Sequence, residues 1–381
     1  MLPDFRLETY FSKWEFTARY NLAASDLETL ALEELLSLGS DDDRARWASL
    51  RLGYTQTFGL PALREAIAGT YERVDADDVI CFAGAQEGIF CAMHALLAAG
   101  DHAVVLVPNY QSLEEIPRSI CEVTGVALRE GEGWSLDLDE LRDAIRSNTK
   151  LITINFPNNP TGAVIDDETF AAVVDLARES GAYLLSDEVY RGLERPLARQ
   201  LPNGADVYEK ALSLGVMSKA YGLAGLRLGW IASRDRGVLS RMERVKHYLS
   251  ITNAAPSEVL ATIALRARET ILARNRAIVA ENLGHVTRFF GDHGDLFEWY
   301  ATHAGCVAFP RYLGDDGVEE FCRSAVEEAG VLLLPASVFR SELRAVAVDR
   351  FRIGFGRRDC AEALAVLDAH VTAGRMAGSD R

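Results

Sequence analysis

The sequence predicts an α/β fold: a large domain on a mostly parallel sheet with helices on both faces, and a smaller α+β domain made of both chain termini. Three observations carry this. From residue 79 onward, short apolar runs alternate with stretches of helical periodicity. Those runs (VICFAG, HAVVLVP, LITINFP, AYLLSDEVY, ALSLGVMSK) are continuous rather than interleaved with polar residues, as strands buried on both faces require. Finally, 381 residues exceed one simple core and suggest about two domains.

Residues 1–45 are assigned to the smaller domain. They hold an amphipathic stretch around Tyr10, Phe11, Trp14 and Phe16, then NLAASD (Asn21 to Asp26), then a short leucine-rich helix ending near Gly39. Residues 46–285 form the large domain. There LGYTQTFGLPALREAIAGTYE reads as a turn at Gly59 and Pro61, followed by a helix whose Leu63, Ile67 and Tyr71 recur at helical spacing. The strand and helix alternation follows, with its first helix from Gln86 to Ala99, and then a long helical stretch from about Ser257 to Phe290. Residues 286–381 return to the smaller domain: a strand at Gly305 to Pro310, a helix near Val318 to Ala329, the strands VLLLP and RFRIGF, and a last helix.

Charge narrows the function classes. A net charge of −16 argues against a nucleic-acid partner. Charged residues interrupt every apolar run of the N-terminus, and no later run approaches the roughly 20 residues that span a bilayer, so a cytoplasmic setting without a membrane partner is expected. The cysteines (Cys81, Cys91, Cys121, Cys306, Cys322, Cys360) are scattered singly without a CxxC, which reads as buried free thiols rather than disulfides. The histidines form no HExxH and no close cluster, and no metal site is expected.

Chemistry-bearing residues collect at the carboxyl ends of the apolar strands, where ligands sit in such sheets. GVMSKAYGLAGLRLGW (Gly215 to Trp230) sets Lys219 after an apolar run, between Ser218 and Ala220, with Gly222, Gly225 and Gly229 behind it and Arg227 beyond. A lysine kept for solvation needs no glycines around it. One that forms an imine with a bulky partner needs bare backbone nearby, and desolvation makes it nucleophilic. Asp187 and Tyr190 end LLSDEVY. A carboxylate buried there needs a partner, which a protonated pyridine nitrogen would supply and a helix N-terminus would supply equally. Asn158-Asn159-Pro160-Thr161-Gly162 is a good turn by itself, and its amide can also donate to a phenolate oxygen. Gly84, Ala85 and Gln86, at a strand end and a helix start, offer backbone N–H groups to a phosphate. Tyr110 in VPNYQ is suited to stack on a flat ring or merely to pack. Arg352, a cation on the apolar strand RFRIGF, is suited to clamp a carboxylate, with a plain salt bridge as the alternative.

In this order and spacing, NNPTG, SDEVY and SKAYGLAGLRLGW resemble the class I/II aminotransferases, the pyridoxal-phosphate (PLP) enzymes of the aspartate aminotransferase fold. The resemblance covers essentially the whole chain, including YTQTFGLPALREAIA near the start and RIGFG near the end. It implies a seven-stranded sheet in a large PLP-binding domain, pyridoxal 5'-phosphate as cofactor, an α-amino acid as substrate, and a homodimer with shared active sites. Residue by residue, it implies that Lys219 holds the cofactor as a Schiff base, that Asp187 pairs with the pyridine nitrogen, and that Asn159 and Tyr190 bind the ring's phenolic oxygen. Arg227, Ser218 and the backbone at Gly84, Ala85 and Gln86 would take the phosphate. Tyr110 would stack on the ring, Tyr54 would reach the phosphate of the neighbouring subunit, and Arg352, beside Asn159, would hold the substrate's α-carboxylate. One position departs: Val216 stands where the family usually has Ser or Thr on the phosphate, so binding should lean harder on Arg227, Ser218 and the glycine loop. Glu87, where many relatives carry a small or hydroxyl residue, is read as a partner of the helix dipole.

The first functional reading is an amino-acid aminotransferase. The alternative is PLP-dependent elimination, replacement or cyclisation of a substituted, arginine-like amino acid. NFPNNPTGA, SKAYGLAGLR and KHYLSITNAAPSE also resemble capreomycidine synthase, a member of this fold that cyclises a hydroxylated arginine. WEF and NLAASD resemble segments of PLP enzymes that act on arginine, which makes Glu15 and Asp26 candidate readers of a cationic side chain; a solvated helix face and a helix cap compete with that role. A third reading, a regulatory PLP-binding domain without catalysis, fits poorly with an intact Lys219, Asp187 and Arg352.

Overall fold

The computed structural model describes residues 2–196 and 198–379, with the side chains of residues 132 and 375–379 outside the description. Eight strands form the central sheet, in the spatial order Val79–Phe82, Gly229–Ala232, Ala211–Val216, Tyr183–Asp187, Thr149–Asn155, His102–Val107, Glu122–Arg129 and Ser135–Leu136. The run from Ala211–Val216 to Glu122–Arg129 is parallel throughout. Gly229–Ala232 is antiparallel to both its neighbours, and Ser135–Leu136 is antiparallel to Glu122–Arg129. The sheet is therefore the expected seven strands plus a short edge strand, whose two residues are too few to leave a periodic signal. Glu122–Arg129 also leaves no continuous apolar run, because near the edge several of its residues stay partly exposed.

Adjacent strand residues feed opposite cores. Leu184 packs with Val104, Ile152 and Phe170, whereas Leu185 packs with Leu212, Leu214 and Ile89 on the other face. Each fully buried aliphatic side chain of this kind stabilises the fold by roughly 1.5–3 kcal/mol. The first covering helix runs Ala85–Leu96, shorter than the Gln86 to Ala99 expected, because Leu97 turns extended (ψ 143°). The long helical stretch is two helices, Ala255–Arg266 and Arg268–Asp292, parted at Ala267 (φ −94°, ψ 15°).

Both termini build the second layer. Tyr20–Asn21 pairs in parallel with Val331–Leu332, and Phe351–Gly354 lies between Val307–Ala308 and Leu334–Pro335. The helix Arg6–Trp14 buries Leu7 and Phe11 in a cluster with Phe309, Leu332 and Phe339. The helices Leu32–Ser37 and Asp41–Ala48 pack instead on Ala255–Arg266, where Arg266 pairs with the buried Asp43. The six cysteines are free thiols. Among the described residues, no helix is long and apolar enough to cross a membrane and no group of three or more His, Cys, Asp or Glu side chains is placed to hold a metal ion.

Candidate active site

The carboxyl ends of the parallel strands open on a cavity of about 290 Å³. Tyr110 reaches it beyond His102–Val107, Asn155 and Asn159 at and beyond Thr149–Asn155, Asp187 and Tyr190 at and beyond Tyr183–Asp187, and Ser218 and Lys219 beyond Ala211–Val216. The opposite wall is the N-terminal segment, with Leu7, Glu8 and Phe11 from its helix, Glu15 at the helix end and Ala24 to Asp26 after it, joined by Arg352 and Arg357.

Lys219 Nζ donates to Ser25 Oγ at 2.8 Å. Burial lowers its pKa, Arg352 lowers it further, and Asp26 works in the other direction. Asp187 is buried and its pKa is pushed up to about 7, chiefly by desolvation, although the Val189 N–H and Lys219 both favour its charged form. Tyr190 donates to the Ser25 carbonyl at 3.0 Å, and burial raises its phenol pKa. Arg352, fully buried, donates to Asn159 Oδ1 at 2.9 Å and to the Ala23 carbonyl at 2.6 Å, while its Nε has no partner. Tyr110 packs its ring on Phe5 with centroids 5.3 Å apart.

At the other end of the cavity stands the start of the helix Ala85–Leu96, with Gln86 Oε1 buried and unpartnered. Arg227 adopts a left-handed conformation (φ +45°), unusual for a residue with a side chain and a form of local strain that collects at functional sites. That conformation brings its guanidinium over the helix start, within 3.4 Å of Ser218 Oγ. Gly84 (φ +90°) holds a backbone conformation that side chains rarely adopt, and its missing Cβ leaves room for Arg227 Nη2, which would otherwise lie 2.7 Å away. Glu87 accepts from Ala83 N–H at 2.6 Å and Ser250 N–H at 3.1 Å, so its carboxylate ties the helix start to the 247–253 loop besides facing the helix dipole.

The cavity thus brings together Lys219, Asp187, Tyr190, Asn159, Tyr110, Ser218, Arg227, Arg352, Ala85, Gln86, Glu15 and Asp26, with Gly84 immediately behind. Tyr54 stands apart, 90% exposed and outside the cavity wall. Asp26 faces the cavity with its charge already engaged, because both its oxygens accept from Arg357 Nη2, at 2.9 and 3.1 Å. Val216 lines the cavity. Sequence reasoning missed Ser25, Glu8, Asn155 and Arg357. Asn155, at the end of LITINFP, had a signal in its position; Ser25, Glu8 and Arg357 had none.

The residues fit pyridoxal phosphate. A cation, the backbone N–H groups at a helix start and the Ser218 hydroxyl suit a phosphate. A buried carboxylate whose pKa is about 7 calls for a cation such as a ring N–H, and a lysine of lowered pKa suits imine formation.

Known proteins bear on this site. A family profile described as aminotransferase class I and II matches residues 19–367. Capreomycidine synthase of Streptomyces vinaceus is 28% identical over 364 residues, 93% of this chain and 90% of that protein. Among solved structures, a PLP-dependent aminotransferase from Streptococcus suis superimposes with a TM-score of 0.89 at 32% identity, covering 98% of this chain and 97% of that one. The PLP-dependent cyclase OrfR superimposes with a TM-score of 0.88 at 25% identity, covering 98% of each chain. With the strand-end cavity and a match over most of its length, the chain belongs to the class I and II aminotransferases, and its cofactor is pyridoxal 5'-phosphate.

Proposed function

We propose that the protein is an aminotransferase that binds PLP through Lys219 and acts on an α-amino acid, working as a cytoplasmic homodimer. Residues 46–285 would carry the cofactor, and residues 1–45 and 286–381 would form the smaller domain, except that the helices Leu32–Ser37 and Asp41–Ala48 pack on Ala255–Arg266 of the large one. The observation that carries this reading is the grouping of Lys219, Asp187 and Arg352 around one cavity, ionisable side chains whose charged forms burial alone would make unfavourable.

Bound PLP supplies an electron sink for the negative charge that develops at the substrate's α-carbon. The chain's own groups do the rest. Arg352, with an unpartnered Nε and a planar fork, takes the α-carboxylate. Lys219, whose pKa burial lowers, is the group able to remove the α-proton and later return it. Asp187 holds a positive charge at the far side of the ring site. Asn159, whose Oδ1 is taken by Arg352, keeps its NH2 for donation, and Tyr190 supplies a second hydroxyl donor. Arg227, Ser218 and the helix start grip the phosphate without the hydroxyl that Val216 replaces.

A second reading, elimination or cyclisation of a cationic amino acid, draws on the acidic side chains of Glu8 and Glu15 at the cavity and on the match to capreomycidine synthase. In this reading Glu15, with Glu8, faces the substrate's side chain, while Asp26 is engaged by Arg357. The dimer draws on two adjoining loops, tied by Thr55 Oγ1 to the Asn253 carbonyl at 3.2 Å, that leave Leu52, Tyr54 and Tyr248 84–92% exposed.

The purified protein should absorb visible light, and Lys219→Ala should abolish that absorbance; an unchanged spectrum refutes the role of Lys219. Single amino acids should then yield a keto acid and pyridoxamine phosphate. If none does, while 4-hydroxyarginine or another amino acid bearing a leaving group is consumed, the second reading replaces the first.

A further inference from the structure

One short contact to Lys219 has no role in the chemistry above: its amine donates to the hydroxyl of Ser25 at 2.8 Å, across 194 residues of sequence. We propose that Ser25 is a positioning residue whose hydroxyl holds the Lys219 amine whenever it is free, so that the base faces the substrate from one fixed place; this rests on the reading of Lys219 as the base.

Ser25 is not a loose hydroxyl on a mobile loop. Its own carbonyl accepts from Tyr190 Oη at 3.0 Å and from Cys306 Sγ at 3.5 Å. The residues around it are pinned to the strand Phe351–Gly354 and the turn that follows. The Leu22 carbonyl accepts from Gly354 N–H at 2.6 Å, the Ala23 carbonyl from Arg352 at 2.6 Å, and Glu28 N–H donates to the Gly356 carbonyl at 2.9 Å. The approach is so close that a Cβ on Gly354 would lie 1.8 Å from the Ala24 carbonyl oxygen, and one on Gly356 would lie 2.3 Å from that of Asp26. The same strap thus touches Arg352, Tyr190 and Lys219, and the hydroxyl inherits that rigidity.

The chemistry of the acceptor also matters. A carboxylate in this place would hold the amine as an ammonium and remove its basicity. The nearby carboxylate that could do so, Asp26, is occupied by Arg357. A hydroxyl orients one N–H of the neutral amine and leaves the lone pair available. Once the amine has taken a proton, the same oxygen makes a stronger, charge-assisted bond to the ammonium. The arrangement therefore favours proton uptake without trapping the base beforehand.

The test uses the holoenzyme in deuterium oxide, following α-hydrogen exchange by proton NMR with whichever of the twenty common amino acids or 4-hydroxyarginine exchanges fastest. Ser25→Ala should slow maximal exchange roughly ten- to a hundredfold, the worth of a hydrogen bond to a charged group, with KM little changed. It should also move the acid limb of the rate profile to lower pH, because the ammonium has lost an acceptor. Wild-type exchange rates in Ser25→Ala, or a slowed rate with an unmoved acid limb, would overturn the proposal. A wild-type protein with no visible absorbance, or with no exchange of any of these amino acids, would instead overturn the function assigned to the site.

Discussion

The two walls of the cavity are built by different means. Lys219, Asp187 and Asn159 each stand at or just beyond the carboxyl end of a buried parallel strand, so the sheet itself sets their spacing. The facing wall is assembled from pieces more than 300 residues apart, residues 7–26 and 352–357, held by side-chain bonds such as Arg357 to Asp26 and by the bare backbone of Gly354 and Gly356. Rigid strand ends suit chemistry that every substrate shares, whereas a wall fixed by a few contacts can change its side chains without disturbing that chemistry. Damage to the first wall should therefore abolish reaction, and damage to the second should change which substrate reacts.

The largest effect is expected at the first wall. Lys219→Ala should lower turnover by roughly 10⁴-fold, the upper range for loss of a general base, whatever amino acid is offered. A loss confined to one substrate would break the division between walls. Asp187→Asn should follow, with turnover down roughly 10²–10³-fold. The amide has the shape of the acid but cannot hold a positive charge, so titration of visible absorbance with added PLP should also show weaker binding. Retained turnover would mean that the buried carboxylate, whose pKa of about 7 marks it as poorly satisfied by the chain alone, serves packing only.

Gly354→Ala probes the joint between the walls. Its new methyl would fall on the Ala24 carbonyl, so the strap must move, at a cost of roughly 1–3 kcal/mol in unfolding free energy. Chemical denaturation should register that cost. The visible absorbance should survive, because Lys219 and Asp187 rest on the sheet, while KM rises. Loss of the absorbance along with KM would show that the second wall also holds the cofactor.

The same division explains what could be read in the sequence. The first wall was legible because strand, turn and functional residue are contiguous there: LLSDEVY contains both the buried strand and the carboxylate at its end. The expected seven strands, with one edge strand added, follow from the same local regularity. The second wall was not legible, because its contacts join distant segments. Asp26 could be read as a candidate for a cationic side chain or as a helix cap, and only the fold reveals Arg357, 331 residues away, on its carboxylate. Ser25 was one polar residue in NLAASD, with nothing in its spacing to connect it to Lys219. The pattern could not supply the close passage of residues 24–26 over Gly354 and Gly356 either, since a glycine needed for tertiary contact looks like any turn glycine.

The smallest expected effect bears most directly on substrate choice. Glu15 caps the end of the helix Arg6–Trp14 and lines the cavity, half-buried, and desolvation raises its carboxyl pKa while Arg357 and Lys219 pull it back. If this acid reads a cationic side chain, Glu15→Gln should raise KM for a cationic amino acid roughly two- to fivefold, the worth of a partly exposed ion pair, and leave neutral amino acids unchanged. The pH dependence has a definite sign. The ionised form binds the cation, so affinity is present above the folded-state pKa and is lost as pH falls through it. Because that pKa is raised, the loss begins at a higher pH than an ordinary glutamate would give, and it should vanish in Glu15→Gln. Equal changes in KM for neutral and cationic substrates would place Glu15 outside recognition and leave the second wall a structural lid. A selective change would make residues 8–26 the segment in which this chain's substrate is written.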